Sequence, residues 1–250
     1  MGATASGKTD LALEIAARVP TDIISVDSAM VYRGMDIGTA KPSKEALRNN
    51  PHALVDVRDP PDTYSAQDFI EDADRAVHLA WVRGRVPLLV GGTMMYFNAF
   101  KDGLAKLPSA DATVRQDIEQ RGQQVGWPEL HRELSQVDPD AGAAIDPGNH
   151  QRIQRALEVY QITGIPISEL WRNSHAEPVS ERLNCNLVEF ALTTVSREEL
   201  HARIESRLDD MLNSGFVDEV KGLRERWVIA TSTPSMRAVG YRQVGQFLDA

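Results

Sequence analysis

The chain has 250 residues, 42% of them hydrophobic and 25% charged, and a formal net charge of −9 at pH 7. This composition is typical of a globular protein with a substantial core, and no apolar run is long enough to span a bilayer, so we expect no membrane association. The acidic balance argues against a non-specific nucleic-acid binder, so any contact with nucleic acid would need local arginine clusters.

A phosphate-binding loop with the pattern G-x-x-x-x-G-K-[ST] begins at the second residue. Its glycines allow backbone N–H groups to surround a diphosphate, its lysine adds a positive charge, and its final hydroxyl can hold Mg²⁺. A helix predicted at 10–18 would direct its positive N-terminus at the phosphates. We therefore predict a diphosphate site formed by Gly2, Ala3, Thr4, Ala5, Ser6, Gly7, Lys8 and Thr9, with Mg²⁺ at Thr9.

Loops of this kind normally follow a buried strand, whereas only Met1 precedes this one. We therefore expect the chain to be part of a longer protein. The sheet should then have an open slot beside the strand predicted at 22–26 or the strand predicted at 86–90. We also expect the ligand-free loop to be mobile, and the chain to be less stable than one extended by about ten apolar N-terminal residues.

Three short apolar runs, at 22–26, 86–90 and 187–192, are predicted to be buried strands. A helix predicted at 65–83, with Ser65 as its N-cap, precedes the strand at 86–90. A second helix, predicted at 94–101, follows that strand. Strands that alternate with helices predict a P-loop-type α/β core, in which a parallel sheet has helices on both faces.

Residues 105–184 have a different pattern, with repeated prolines and no convincing strand. We predict that they form a mostly helical insertion, with helices at 111–123, 127–136 and 149–163. The first part of the α/β core then spans 1–104, and the chain returns to the core, with C-terminal helices, over 185–250. A capping box that begins at Ser196 is predicted to start a helix that ends near 214.

Two further candidate residues follow predicted strands, at the sheet edge where ligands bind in open parallel sheets. Asp27 follows the strand at 22–26, and Thr93 follows Gly91-Gly92 after the strand at 86–90. Either side chain could instead cap a turn or a helix. P-loop hydrolases and many kinases end such a strand with an acid that handles Mg²⁺. The Gly-Gly-Thr found here favours a site that holds a leaving pyrophosphate.

Arginines cluster in three places despite the acidic balance. Arg203 and Arg207 share one helical face, and Arg152 and Arg155 share one turn. The run 237–242 combines two arginines with a tyrosine, which suits phosphate contact and base stacking. In each place a solvent-facing charged surface is the alternative.

Taken together, these motifs resemble the bacterial tRNA dimethylallyltransferase (tRNA isopentenyltransferase) family. The most specific matches are the run from Gly34 to Pro42 and the run Gly240-Tyr241-Arg242-Gln243. The others are Gly2–Thr9, Ile24–Ala29, Tyr32–Arg33, Val90–Tyr96, Arg152–Glu158 and Val239, all in the order found in the family. Family members usually have proline at the position of Ala3, a strand before the loop and a basic helical segment after the last motif.

The resemblance implies that the exocyclic amine of the adenosine adjacent to the tRNA anticodon attacks dimethylallyl diphosphate and that diphosphate leaves. Asp27 would accept or hydrogen-bond the amine proton, and Thr93 would contact the substrate. Lys8, Arg207 and Mg²⁺ would stabilise the leaving group. The implied tRNA-contacting residues are Asp27, Ser28, Ala29, Met30, Thr93, Arg115, Gln151, Arg152, Ile153, Gln154, Arg155, Arg237, Ala238, Val239, Gly240, Tyr241 and Arg242. We expect a monomeric, cytoplasmic enzyme.

Two alternatives stay open at this point. A P-loop kinase of a nucleoside or small metabolite has the same phosphate loop and would transfer a phosphoryl group from ATP. A non-catalytic phosphate- or RNA-binding module is the other alternative.

Overall fold

The computed structural model describes residues 1–193, 196–230 and 233–250. The chain divides into two compact units, one formed by Met1–Asp102 and Pro178–Ala250 and the other by Gly103–Glu177. None of the helices in these ranges combines the length and apolar character needed to cross a membrane.

The helices and strands follow one another in chain order as α1 Lys8–Arg18, β1 Thr21–Val26, α2 Lys44–Asn49, β2 His52–Ala53, α3 Ala66–Val82, β3 Val86–Gly91, α4 Met94–Asp102, α5 Ala112–Val125, α6 Trp127–Val137, α7 Pro139–Ala144, α8 His150–Thr163, α9 Ile167–Asn173, α10 Val179–Arg182, α11 Arg197–Asn213, α12 Phe216–Arg226 and α13 Tyr241–Asp249. A 3₁₀ turn at Pro234–Arg237 precedes α13.

The sheet has three parallel strands within the described residues, in the order β2-β1-β3. Its centre, β1, is β-branched and largely buried because it is paired on both sides; Ile24, for example, lies opposite Ala53 and Leu89. Helices α1 and α3 both pack on β1 and β3. This arrangement confirms the predicted α/β class with a parallel sheet.

The prediction of a strand at 187–192 is wrong. Among the described residues, the backbone hydrogen bonds of this segment reach just the N-terminus, where the Met1 amine donates to the Phe190 carbonyl at 2.7 Å and the Leu192 N–H donates to the Met1 carbonyl at 2.8 Å. Its one ion pair in the described part of the chain joins Glu189 to Lys101 at 3.5 Å. A strand needs a continuous neighbour, and one isolated bridge between Gly2 and Leu192 does not provide it. Phe190 therefore stays 75% exposed. The outer edge of β3 pairs with no other described strand, whereas β1 is paired on both sides.

The predicted helix starts depend on local side-chain caps, and these caps are present. The Ser65 hydroxyl accepts from the Asp68 N–H at 3.1 Å, and the Asp68 carboxylate accepts from the Ser65 N–H at 2.8 Å. The Ser196 hydroxyl accepts from the Glu199 N–H at 3.0 Å and begins α11, so one of the two bonds of the predicted capping box is present. The Glu199 carboxylate pairs with Arg203. Such caps satisfy N–H groups that the first helical turn leaves without partners.

The helical unit ends at Glu177, before the predicted boundary at 184. Arg182 on α10 forms an ion pair of 2.7 Å with Asp74 and donates to the Phe100 carbonyl at 3.0 Å. These contacts attach residues 178–184 to the α/β unit. The sequence pattern indicated only another helical segment, because it does not reveal which core a short helix joins.

Each unit has its own core. In the α/β unit, Phe69 stacks on Tyr96 at 4.6 Å between ring centroids, and Phe216 packs edge-on against Tyr241 at 5.0 Å. The core of the helical unit consists of buried aliphatic side chains, among them Ile118, Leu130, Leu134, Ile153 and Leu157. Helix α12 and the start of α13 pack into the same core as β1. This packing places both helices near the end of β1.

Candidate active site

The phosphate loop leads directly into α1, which begins at Lys8. Ala5 and Gly7 both have left-handed backbones, with φ of 58° and 85°, which a turn around an anion requires. The Lys8 ammonium folds back and donates to the Ala3 carbonyl. The Ser6 hydroxyl is buried and has no hydrogen-bond partner in the part of the chain described.

Asp27 is placed at the carboxyl end of β1. Its Oδ1 atom accepts from the N–H groups of Ala29 at 2.9 Å and Met30 at 3.1 Å, so the side chain does cap the turn that follows β1. No donor among the described residues reaches its Oδ2 atom. The carboxylate is therefore held by one oxygen and has the other available for a ligand.

Thr93 follows β3 and faces the same end of the sheet. Its hydroxyl accepts from the Ser28 N–H at 3.0 Å, which links the loop after β3 to the loop after β1. Gly91 allows this close approach, because a Cβ atom there would lie 2.0 Å from the Val26 carbonyl oxygen. The main-chain carbonyl of Thr93 accepts from the Tyr96 N–H at 3.0 Å at the start of α4, while its hydroxyl binds the Ser28 N–H.

A cavity of about 380 Å³ opens at this edge of the sheet, within the α/β unit. Of the residues predicted from the sequence, it is lined by Thr4, Lys8, Thr9, Asp27, Ser28, Ala29, Met30, Thr93, Arg207, Ala238, Val239 and Tyr241. The fold therefore brings together the phosphate loop, the acid at the end of β1, the threonine after β3 and one arginine from α11.

The charges in the cavity favour an anionic ligand. Burial lowers the pKa of Lys8, the positive charge of Arg207 lowers it further, and Asp27 acts in the opposite direction. An anion bound near Lys8 and Arg207 would be attracted by both positive charges and would offset the repulsion between them. The electrostatics therefore suit a diphosphate.

The two arginines on the predicted face of α11 have different roles. Arg207 lines the cavity and donates from Nη2 to the Thr39 carbonyl at 3.3 Å. Arg203 pairs with Glu199 one turn earlier on the exposed surface, as in the solvent-facing alternative.

No sequence pattern indicates a role for Glu219, although its carboxylate anchors the turn at 36–38. Its two oxygens accept from the N–H groups of Asp36, Ile37 and Gly38, and from the Tyr241 hydroxyl. These partners stand 22 to 183 positions away along the chain, so no spacing rule could have found the residue.

Tyr241 is fully buried, so its ring is not exposed on the outer surface of the protein. Its ring forms part of the cavity wall, and its hydroxyl is bound to Glu219 at 2.5 Å. The neighbouring Arg237 and Arg242 are exposed and do not line the cavity, and Gly240 sits at the start of α13 with φ of 91°.

The remaining predicted tRNA-contacting residues lie in the helical unit. Ile153 is 0% exposed, and the spacing of Ile153, Ala156 and Leu157 is that of a core-facing helix side. Its side chain packs in the core of the helical unit, so a contact with tRNA at this position stays a prediction. Gln151 and Arg152 are exposed. Gln154 donates to the Arg115 carbonyl at 3.1 Å.

Arg115 and Arg155 both bind the buried carboxylate of Glu158, at 2.9 and 2.6 Å. Burial by itself raises the pKa of Glu158, but hydrogen bonds from Arg115, Arg155 and the Asp111 N–H outweigh this effect and lower it. The two arginines are thus held by a structural ion pair and together keep one unbalanced positive charge.

Comparison with known proteins connects these features to one family. The family model for IPP transferase matches residues 30–250. Over the whole chain, the sequence is 52% identical to tRNA dimethylallyltransferase 2 of Hahella chejuensis and 50% identical to tRNA dimethylallyltransferase of Aromatoleum aromaticum, and it covers 78% and 77% of those proteins.

Solved structures agree with this assignment. The full-length tRNA isopentenylpyrophosphate transferase from Bacillus halodurans matches with a TM-score of 0.65 and 37% identity, over 99% of this chain and 75% of that one. A eukaryotic dimethylallyltransferase acting on tRNA matches with a TM-score of 0.73 and 26% identity, over 99% and 61%. Because the family model covers most of the chain and the relatives share half of its residues, this chain belongs to the IPP transferase family.

Proposed function

We propose that this protein transfers a dimethylallyl group from dimethylallyl diphosphate to the exocyclic amine of the adenosine adjacent to the anticodon of tRNA, with release of diphosphate. The observation that carries the proposal is a single cavity lined by Lys8, Thr9, Asp27, Thr93 and Arg207. It combines cations for a leaving diphosphate with a carboxylate for an amine proton. The names of the relatives, which are tRNA dimethylallyltransferases, support the same reaction.

In the proposed reaction the amine lone pair attacks the allylic carbon, the carbon–oxygen bond breaks, and the diphosphate takes that bond's electron pair. The amine proton passes to Asp27 at Oδ2, the oxygen that the Ala29 and Met30 amides do not occupy. Lys8 and Arg207 stabilise the negative charge that develops on the leaving group. Thr93 holds the loop beside Asp27 and contacts the substrate.

We propose Mg²⁺ as the metal, held by Thr9 together with the diphosphate. The described residues contain no group of three or more His, Cys, Asp or Glu side chains suited to a metal, whereas the cavity contains Thr9 beside Lys8. One threonine hydroxyl together with phosphate oxygens of the substrate would suit Mg²⁺, which keeps several waters and commonly binds through substrate phosphates. When bound, the ion would neutralise charge on the leaving group.

We propose that tRNA is held by local basic residues, since the net charge of −9 gives no general attraction. Arg152, Arg237 and Arg242 are exposed, and Arg115 and Arg155 keep one positive charge beyond that of Glu158. Ser28, Met30, Ala238 and Val239 line the cavity and are proposed to contact the adenosine, which must leave its base stack to reach it.

We further propose that the protein acts in the cytoplasm, where tRNA is available, and as a monomer. One chain supplies the loop, Asp27, Thr93 and Arg207, so catalysis needs no second copy. A mass of about 27.6 kDa by light scattering at assay concentration would support the monomer.

The test is incubation with labelled dimethylallyl diphosphate and unmodified tRNA, with Lys8→Ala as the control. We expect label to appear in tRNA at the adenosine adjacent to the anticodon, at the same time as diphosphate is released. Phosphoryl transfer from ATP to a nucleoside, with no need for the allylic diphosphate, would instead favour a P-loop kinase. Binding of tRNA and diphosphate with no transfer would indicate a non-catalytic module.

A further inference from the structure

We propose that Glu219 is a positioning residue: it fixes the turn at 36–39 and, through the Thr39 carbonyl, orients Arg207 toward the diphosphate. This inference rests on the proposed function, because it assigns a diphosphate to the cavity that Arg207 lines.

The carboxylate of Glu219 is the centre of four hydrogen bonds. Oε2 accepts from the N–H groups of Asp36 at 3.0 Å and Ile37 at 2.7 Å. Oε1 accepts from the Gly38 N–H at 3.2 Å and from the Tyr241 hydroxyl at 2.5 Å. Three consecutive N–H groups directed at one carboxylate define the path of the turn, because each bond to a charged acceptor is stronger than a neutral one.

Glu219 lies in the first turn of α12, where the helix dipole stabilises negative charge. Burial raises the pKa of Tyr241, as does its hydrogen bond to Glu219, so the hydroxyl stays protonated and remains a donor.

The turn connects Glu219 to the cavity. Gly38, Thr39 and Ala40 line the cavity, and the Thr39 carbonyl accepts from Arg207 Nη2 at 3.3 Å. This is the hydrogen bond between the Arg207 guanidinium and the turn, so the position of Thr39 sets where that guanidinium points. A displaced turn would therefore misplace the cation that faces the diphosphate.

Two other features leave the turn little freedom to compensate. Gly38 lies so close to Phe216 that a Cβ atom would be 2.1 Å from the ring, which keeps the turn against the core. At the far end, the ammonium of Lys41, 3% exposed, binds the Tyr32 carbonyl at 2.8 Å and Asp36 at 2.6 Å. Glu219 holds the first part of the turn through the N–H groups of residues 36–38.

The direct test is amide hydrogen exchange in the full chain for Glu219→Gln. Glutamine keeps the length of the side chain but loses the charge and one acceptor, so exchange at residues 36–38 should accelerate about tenfold. The matched control is Asp218→Asn on the same helix, whose carboxylate is 81% exposed and pairs with Lys221 at 3.2 Å. Unchanged exchange in Glu219→Gln, or equal acceleration in the control, overturns the proposal whether or not the protein is a transferase.

The functional test separates positioning from general stability. We expect Glu219→Gln to raise the KM for dimethylallyl diphosphate about tenfold and to change the KM for tRNA by less than about twofold. In an Arg207→Ala background the same substitution should have little further effect on the diphosphate, because its target is gone. Equal effects in both backgrounds, or faster exchange with an unchanged KM, would contradict the role.

If Glu219→Gln does not fold, Tyr241→Phe tests the same carboxylate with a milder change. It removes one donor to Glu219 and should give a smaller increase in both exchange at 36–38 and the KM for the diphosphate. No change in either quantity overturns the inference.

Discussion

The hydroxyl of Thr93 accepts a hydrogen bond from the backbone N–H of Ser28 at 3.0 Å and so ties the loop after β3 to the loop after β1. Residues 65 positions apart are thereby held at one end of the parallel sheet, where Asp27 also lines the cavity. The catalytic carboxylate proposed above thus has its geometry set partly by a neighbouring strand.

Replacement of Thr93 by valine should lower the transfer rate about tenfold or more, because the Ser28 N–H loses its acceptor and the loop beside Asp27 is released. Thr93→Ser keeps the hydroxyl and is the matched control, expected to retain most of the activity. Single-turnover transfer to tRNA measures both variants. Equal rates for valine and serine would show that the hydrogen bond does not matter to the reaction.

Lys8→Ala should abolish transfer through weaker diphosphate binding, since Lys8 is the lysine that the loop directs at the phosphates. Pyrophosphate should also raise the thermal midpoint of the wild-type chain and fail to do so in the variant, because the anion relieves the repulsion between Lys8 and Arg207. Thermal unfolding with and without pyrophosphate, alongside turnover, checks both effects. Wild-type turnover with an unchanged KM for the diphosphate would refute the site.

Asp27→Asn should keep substrate binding and lose most of the rate. The amide oxygen can still accept from the Ala29 and Met30 N–H groups, so the turn keeps its cap, but the side chain can no longer take a proton. A positioned base typically contributes about 10²–10⁴-fold. A loss of less than about threefold in single-turnover rate, at an unchanged thermal midpoint, would mean that Asp27 serves only as a cap.

Arg152→Ala should reduce the slope of log tRNA affinity against log salt concentration by up to about 1. It should leave diphosphate binding unchanged. Its side chain is exposed and has no ion-pair partner among the described residues, so its full charge is available to a phosphate. Arg155→Ala should change the slope less, because Arg155 already pairs with Glu158 at 2.6 Å. Binding titrations at several salt concentrations distinguish the two; a larger slope change for Arg155 would contradict this order.

Glu158→Gln should destabilise the chain by about 1–3 kcal/mol at pH 7, since it leaves Arg115 and Arg155 without their buried carboxylate. The pKa of Glu158 is lower in the folded state, so its contribution is present above the unfolded value of about 4.3 and is lost as pH falls through the folded value. Urea unfolding from pH 7 to 3 should therefore show the difference between wild type and variant shrinking below about pH 4.3. The exposed Glu119→Gln is the control. A difference that stays constant with pH would contradict this account.

Features that depend on neighbouring residues could be predicted from the sequence alone. The phosphate loop, the capping serines Ser65 and Ser196, and the α/β alternation are local patterns, because backbone conformation and helix caps are decided within a few positions. Asp27 and Thr93 followed from one general rule about where parallel strands end.

Only the tertiary structure decided the features that depend on a distant partner. Whether 187–192 becomes a strand depends on a neighbour to pair with. Its apolar run does not reveal that, within the described residues, its backbone pairs just with Met1 and Gly2. The role of Glu219 arises because α12 packs beside a turn more than 180 positions earlier. A carboxylate held by hydrogen bonds takes its function from the donors that surround it, and the sequence does not state which donors the fold will bring there.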